Sequence, residues 1–147
     1  MNTLEQTTKT DIKALLSTLW IFFLLNILFR DIHEFVAPGF LQEALNGTVN
    51  GVRITDELMM LGWILAEIPI AMVLLSRILP YGVNRWPNII VGILMIAFVI
   101  SNGAGDPDDL LFAISEIVAL VAILWSAWRW PNPARRLTQT NQPNPIH

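Results

Sequence analysis

Four apolar runs, each close to the length that crosses a bilayer, dominate this chain. They span Ala14 to about Val36, Leu58 to Leu79, Pro87 to Ile100, and Leu110 to Trp130. A membrane helix needs about 20 such residues, with a range of roughly 17–25. The second and fourth runs meet this directly. The first does so by carrying Arg30, Asp31, His33 and Glu34 near its end. The third is short and is expected to reach back through Asn84-Arg85-Trp86 or forward to Gly103, or else to stand nearly perpendicular to the bilayer, where fewer residues suffice. Only 14% of the chain is charged and 54% is hydrophobic, whereas a soluble domain carries about 25% charged residues. Lipid is therefore the expected solvent. The predicted fold class is all-α, an integral membrane four-helix bundle.

The punctuation between the runs agrees. Pro38-Gly39, Asn46-Gly47 and Asn50-Gly51 interrupt the chain after the first, and Pro80 and Gly82 after the second. Residues 102–107 (Asn-Gly-Ala-Gly-Asp-Pro) break the third, and Pro131 ends the fourth. The expected layout is a cytoplasmic segment over residues 1–13 and a membrane domain over 14–131. Its helices fall at about 14–36, 58–79, 85–102 and 109–130, and residues 132–147 form a disordered cytoplasmic tail. No small-x-small cleavage pattern follows the first run, so it reads as a retained helix rather than a signal peptide.

Lysine and arginine set the orientation. Lys9, Lys13, Arg77, Arg85, Arg129, Arg135 and Arg136 lie at one end of the spans, and Arg30 and Arg53 at the other. Seven against two predicts both termini in the cytoplasm (N-in, C-in). Asn84, Arg85, Trp86, Trp128 and Trp130 are expected as interfacial anchors at the cytoplasmic surface. The first outer connection holds Phe40, Leu41, Ala44 and Leu45 at helical spacing. That suits either a short amphipathic turn on the membrane surface or a connector packed on the bundle.

Two acids stand inside apolar runs. Glu67 and Glu116 sit ~14 Å and ~10 Å from the outer ends of their helices at 1.5 Å per residue. A charge at that depth costs about 3 kcal/mol on insertion scales, so it faces the bundle interior, finds a partner or takes up a proton. Asn26, Arg30 and His33 recur at i, i+4 and i+7 on the first helix, which is one helical face. Side chains lean toward their helix's N-terminus, so the three helices aim these groups at one outer-half region. The expectation is an Arg30–Glu116 ion pair, with Glu67 bonded to Asn26 or protonated. Pro69 removes the backbone bond to Leu65 and leaves a carbonyl beside Glu67. This group is read either as a ligand or proton site or as a lock on the bundle. Ser115, Ala119, Ala122 and Ser126, with Gly62–Ala66 and Asn88–Gly92, read as close-packing positions.

Several function classes lose support. The chain has no cysteine, which excludes thiolate metal sites and disulfides. Its two histidines, His33 and His147, are far apart, so no metal site and no cofactor are expected. A net charge of −3 does not suit a nucleic-acid binder. No nucleophile–base arrangement or phosphate loop is present, so an enzyme is the least supported class. Two functions stay open. One is a binder or carrier of a small lipophilic molecule in the outer-half polar pocket. The other is a structural or accessory subunit, packing on a membrane partner or on a second copy, with its buried charges only locking the bundle.

Several blocks carry a resemblance. They are Leu16-Ser17-Thr18-Leu19-Trp20, Pro38-Gly39-Phe40-Leu41, Glu67-Ile68-Pro69, Asn84-Arg85-Trp86-Pro87-Asn88-Ile89-Ile90, Glu116-Ile117 and Ala127-Trp128-Arg129-Trp130-Pro131. Over most of residues 13–131 the chain resembles a bacterial family of four-span membrane proteins, domain of unknown function family 6326. Phe29-Arg30-Asp31-Ile32-His33 departs from the tyrosine-rich pattern of that family. The resemblance implies fold and topology and no reaction. A looser likeness to DoxX-like proteins is architectural, and architecture does not determine function.

Overall fold

The computed structural model describes residues 3–49, 51–103 and 107–129, with side chains described from Ile12 onward. The elements are α1 (Thr3–Val36), α2 (Phe40–Leu45), β1 (Thr48–Val49), β2 (Val52–Arg53), α3 (Asp56–Ile78), α4 (Tyr81–Asn102) and α5 (Pro107–Trp128). The expected residues 1–2, Trp130 and the tail over 132–147 lie outside the described residues. Ile12–Val36 of α1, together with α3, α4 and α5, is long and apolar enough to cross a membrane. The chain is an all-α, multi-pass membrane bundle.

Local chemistry explains the element ends. Thr55 caps α3, its hydroxyl accepting the Leu58 N–H at 3.3 Å. Asp56 and Glu57 then sit in the first turn, where the helix dipole favours negative charge. Pro107 opens α5 at the position where a missing N–H costs nothing. Gly103 ends α4 at φ 71°, a region that L side chains rarely occupy. Between α1 and α3, β1 and β2 form a hairpin pairing Thr48 with Arg53 and Val49 with Val52. Gly51, at the start of the returning strand, has φ 75°, a region open to glycine.

The helices pack in a ring. α1 lies between α3 and α5, and α4 lies between α5 and α3, with α3 and α4 touching least. Leu16, Trp20 and Phe23 of α1 meet Met72 of α3, Met95 and Val99 of α4, and Leu120 and Ile123 of α5 in one buried core. The outer surface is greasy: Leu25, Phe29, Trp63, Ile90, Val118 and Trp125 are all exposed. In water such a surface would aggregate; in lipid it is the solvated face.

Closure is uneven along the bundle. The Lys13, Arg77, Arg85 and Arg129 side chains mark one end, called here the basic end; Glu57, Asp108 and Asp109 mark the acidic end. α4 and α5 are buried against each other along most of their length. On α1, no described residue beyond Phe23 is buried; on α3, none before Pro69. The bundle is therefore tight in its basic half and loose in its acidic half.

The third crossing departs from its expected start. α4 begins at Tyr81, four residues before the position read from the sequence. The polar residues at its start need not stay at an interface, because Asn84 and Asn88 are both buried and bonded inside the bundle.

Candidate functional site

Two polar clusters lie inside the bundle. The first is in the basic half and joins three helices. Asn88 of α4 is its hub. The Trp20 indole N–H of α1 donates to Asn88 Oδ1 at 2.8 Å, and the Ser76 hydroxyl of α3 donates to the same atom at 3.1 Å. Asn88 Nδ2 donates to the Asn84 carbonyl at 2.8 Å and to Asn84 Oδ1 at 2.9 Å. Asn84 Nδ2 donates to the Ser76 carbonyl at 2.6 Å. Alongside, the Ser17 hydroxyl donates to the Val73 carbonyl at 2.9 Å, tying α1 to α3 again. The amide of Asn88 has both hydrogens and both carbonyl lone pairs engaged, which is its full capacity. Trp20, Ser76, Asn84 and Asn88 are all fully buried. A saturated network of this kind is a structural clamp with nothing left to offer a ligand.

This corrects two sequence expectations. Asn84 is not an interfacial anchor; its amide turns into the bundle because Ser76 presents an acceptor there. Asn88, read as a close-packing position, is instead the hub of the clamp. The signal was available: Asn84 and Asn88 are one turn apart, on the same helical face. The other anchors divide. The Arg85 guanidinium lies 5.1 Å from the Trp128 ring and 6.0 Å from Trp86. Trp86 and Trp128 are exposed. At the same end Lys13 sits 4.5 Å over the Tyr81 ring and donates to the Arg77 carbonyl at 3.3 Å.

The second cluster is in the acidic half and is the opposite in character. Arg30 Nη2 donates to the Gly103 carbonyl at 3.0 Å. Its Nε lies 3.7 Å from Asp109 Oδ1, and its Nη1 lies 3.6 Å from Glu116 Oε2. Glu116 is 1% exposed, and neither carboxylate oxygen has a hydrogen-bond partner among the described residues. A separation of 3.6 Å provides Coulomb attraction without a hydrogen bond. One guanidinium thus faces two carboxylates and satisfies neither. The sequence-derived Arg30–Glu116 juxtaposition is present.

The other expected members scatter. His33 pairs with Asp108 at the rim. The Asn26 amide donates to the Phe22 carbonyl of its own helix at 2.8 Å, not to Glu67. Both line an open groove of about 550 Å³ with Phe22, Leu25, Phe29, Ile32, Val36 and Phe112. Glu67 is not in the cluster: it is exposed on α3. Pro69, Met72 and Ser76 define the buried face of α3, and at 100° per residue Glu67 points about 170° away from it. Pro69 itself is buried against the bundle, so the carbonyl it frees is on a different side from the Glu67 carboxyl. Among the described residues no group of His, Cys, Asp and Glu is arranged to hold a metal ion.

No curated protein and no solved structure shows a significant match to this chain. The family described as "Family of unknown function (DUF6326)" matches residues 1–135. Four membrane-length helices and a match over nearly the whole bundle agree, and the chain belongs to the DUF6326 family.

Proposed function

We propose that this protein binds a small lipophilic molecule in the acidic half of the bundle. The apolar body would lie in the groove along Phe22, Leu25 and Phe29, and a hydrogen-bond-donating end would reach the Arg30–Glu116 cluster. The single observation that carries this reading is Glu116. Its carboxylate is buried, both its oxygens lack donors, and its cation is too distant to supply one. Buried acceptors left in that state cost about 1–3 kcal/mol each. A ligand carrying a hydroxyl, amine or protonated head would recover that energy. The groove is open and almost wholly apolar, and its Phe29 and Phe112 are neighbours along the helices of Arg30 and Glu116, which suits a lipophilic body with a polar end.

The test is a thermal-shift titration of the protein in lipid nanodiscs with long-chain alcohols and long-chain amines. A saturable stabilisation weakened tenfold or more by Glu116→Gln and by Phe29→Ala, but not by Glu67→Gln, supports the reading. A chain that responds to no member of either series overturns it.

A second reading rests on the Arg30–Gly103 bond. Arg30 links α1 to the end of α4 and, through Asp109 and Glu116, to α5. On that reading the cluster only staples three helices, and Glu116→Gln changes stability with no change in any ligand response. The charge distribution supports placing the basic end in the cytoplasm, and the resemblance to a bacterial four-span family suggests an inner membrane.

A further inference from the structure

The basic end of the bundle, away from the groove, holds a second buried polar group without a partner. Arg85 lies in the second turn of α4, on the order of 6 Å below its first residue at 1.5 Å per residue. Its guanidinium lies over two indoles, 5.1 Å from the Trp128 ring and 6.0 Å from the Trp86 ring. Its Nε is buried and finds no acceptor. No hydrogen bond or ion pair reaches the rest of its side chain among the described residues. An arginine that only snorkels keeps its head in water. Arg85 is instead held against aromatic rings, with a donor out of reach of solvent.

Its position is the basic-end mouth of the α4–α5 seam. Further in, Leu124 Cδ2 comes within 3.0 Å of where a Cβ on Gly92 would stand. Arg85 is two turns before Gly92 on the same face of α4, and Trp128 is one turn after Leu124 on α5. Arg129 follows Trp128, and its guanidinium lies 4.2 Å over the Trp125 ring. The mouth thus carries two guanidinium groups, one from each helix. No carboxylate stands with them. Every described acidic side chain lies in the acidic half or, for Glu67, at the middle of α3. The adjoining surface is apolar and uncovered: Ile90 of α4 and Val121 of α5 are exposed, as are Trp86, Trp125 and Trp128.

We propose that this mouth binds an anionic phospholipid, whose phosphate is held by Arg85 and Arg129. Basic pockets between membrane helices suit such headgroups. The guanidinium fork matches phosphate oxygens in a way that an ammonium does not. The indoles stand at headgroup level, and the acyl chains lie along Ile90 and Val121. A headgroup of net negative charge is favoured, because the site carries two positive charges and no described acid. A choline headgroup brings its own cation to the same place and loses that advantage. The site is at the opposite end of the bundle from Glu116, so it stands or falls apart from the ligand reading above.

The test uses the full-length protein in micelles holding equal amounts of phosphatidylglycerol and phosphatidylcholine, with bound lipid counted by native mass spectrometry. Phosphatidylglycerol should be retained at least tenfold over phosphatidylcholine. Arg85→Gln and Arg129→Gln should each lower that retention about fivefold, the effect of one basic residue on an anionic lipid surface. Arg129 lies just past α5 and is exposed, so Arg129→Gln reads the site even where Arg85→Gln fails to fold. Arg77→Gln is the control and should leave retention unchanged. It removes an equal charge at the same end, from an exposed side chain of α3 that contacts no ring among the described residues. Equal retention of the two lipids, unchanged retention in a folded glutamine variant of Arg85 or Arg129, or an equal loss in Arg77→Gln would each overturn the proposal. So would displacement of phosphatidylglycerol by millimolar inorganic phosphate, which would mark a site for a free anion.

Discussion

At the scale of single residues, the two clusters set opposite energetic problems. Arg30 is the nearest cation to a carboxylate that is almost completely buried. Removing it strands that charge. Arg30→Ala should destabilise the bundle by about 3–5 kcal/mol, and Arg30→Ala with Glu116→Leu should recover most of the loss. Unfolding in mixed micelles checks both; a double variant no better than the single one would argue against the pairing. Asn88 poses the reverse case, since every bond it can make is made. Hydrogen bonds between membrane helices average about 0.6 kcal/mol. Asn88→Leu removes two of them, from Trp20 and Ser76, and two bonds to Asn84 within α4; with Trp20 and Ser76 left without their acceptor, a loss of about 2–3 kcal/mol is expected. Trp20→Phe breaks a single bond and should cost no more than about 1 kcal/mol beyond its packing. The Arg30–Glu116 approach was legible in the sequence because both residues are conspicuous in apolar runs. The Asn88 hub was not, because Asn88 one turn before Gly92 also fits a close-packing position, Asn84 beside Arg85 and Trp86 also fits a membrane surface, and nothing local shows which way α4 rotates.

At the scale of elements, rotation of each helix decides what its residues can reach. α3 makes the point. It is apolar on every side, so its sequence alone does not reveal which face is buried, and Glu67 was expected inside when it lies outside. α4 and α5 show what contact requires. A Cβ added at Gly92 would stand 3.0 Å from Leu124 Cδ2 and 3.3 Å from its Cγ. Gly92→Ala should push α4 from α5 or displace Leu124, with a loss of about 1 kcal/mol; overpacking in tight interiors commonly costs about 1–3 kcal/mol. Gly62→Ala is the matched control, since nothing lies within 4 Å of its Cβ position. Helix propensity favours alanine in both variants, so a loss confined to Gly92→Ala in thermal unfolding points to close packing, and comparable changes in the two would argue against it. The ends of α3 and α5 lie within two residues of the expected helices, because the apolar runs and the break ending at Pro107 mark them; the Thr55 cap was not read. The start of α4 was misjudged because its first turns are polar and the partners that accept them lie on other helices.

At the scale of the whole molecule, the four crossings and their charge asymmetry make one prediction about sidedness. The hairpin and the α3–α4 connection lie at opposite ends of the bundle. With an impermeant maleimide applied to intact cells, Val52→Cys should label at once and Gly82→Cys only after lysis. The reverse pattern would invert the proposed orientation. Fold class and the number of crossings were legible from apolar run length alone. Which half of the bundle is tight was not, because that depends on partners far apart in the chain.

The clamp in the basic half also bears on how the protein is made. Trp20 and its acceptor Asn88 are separated by 68 positions in the chain. At a synthesis rate of about 5–20 residues per second, the first helix waits roughly 3–14 s before its indole partner is even polymerised. Ser17 can find Val73 earlier, when α3 emerges. A ribosome stalled after α3 should therefore hold α1 and α3 as a loosely joined pair. The arrival of α4 supplies the acceptor for Trp20, and the ring closes when α5, on which both α1 and α4 pack, has followed.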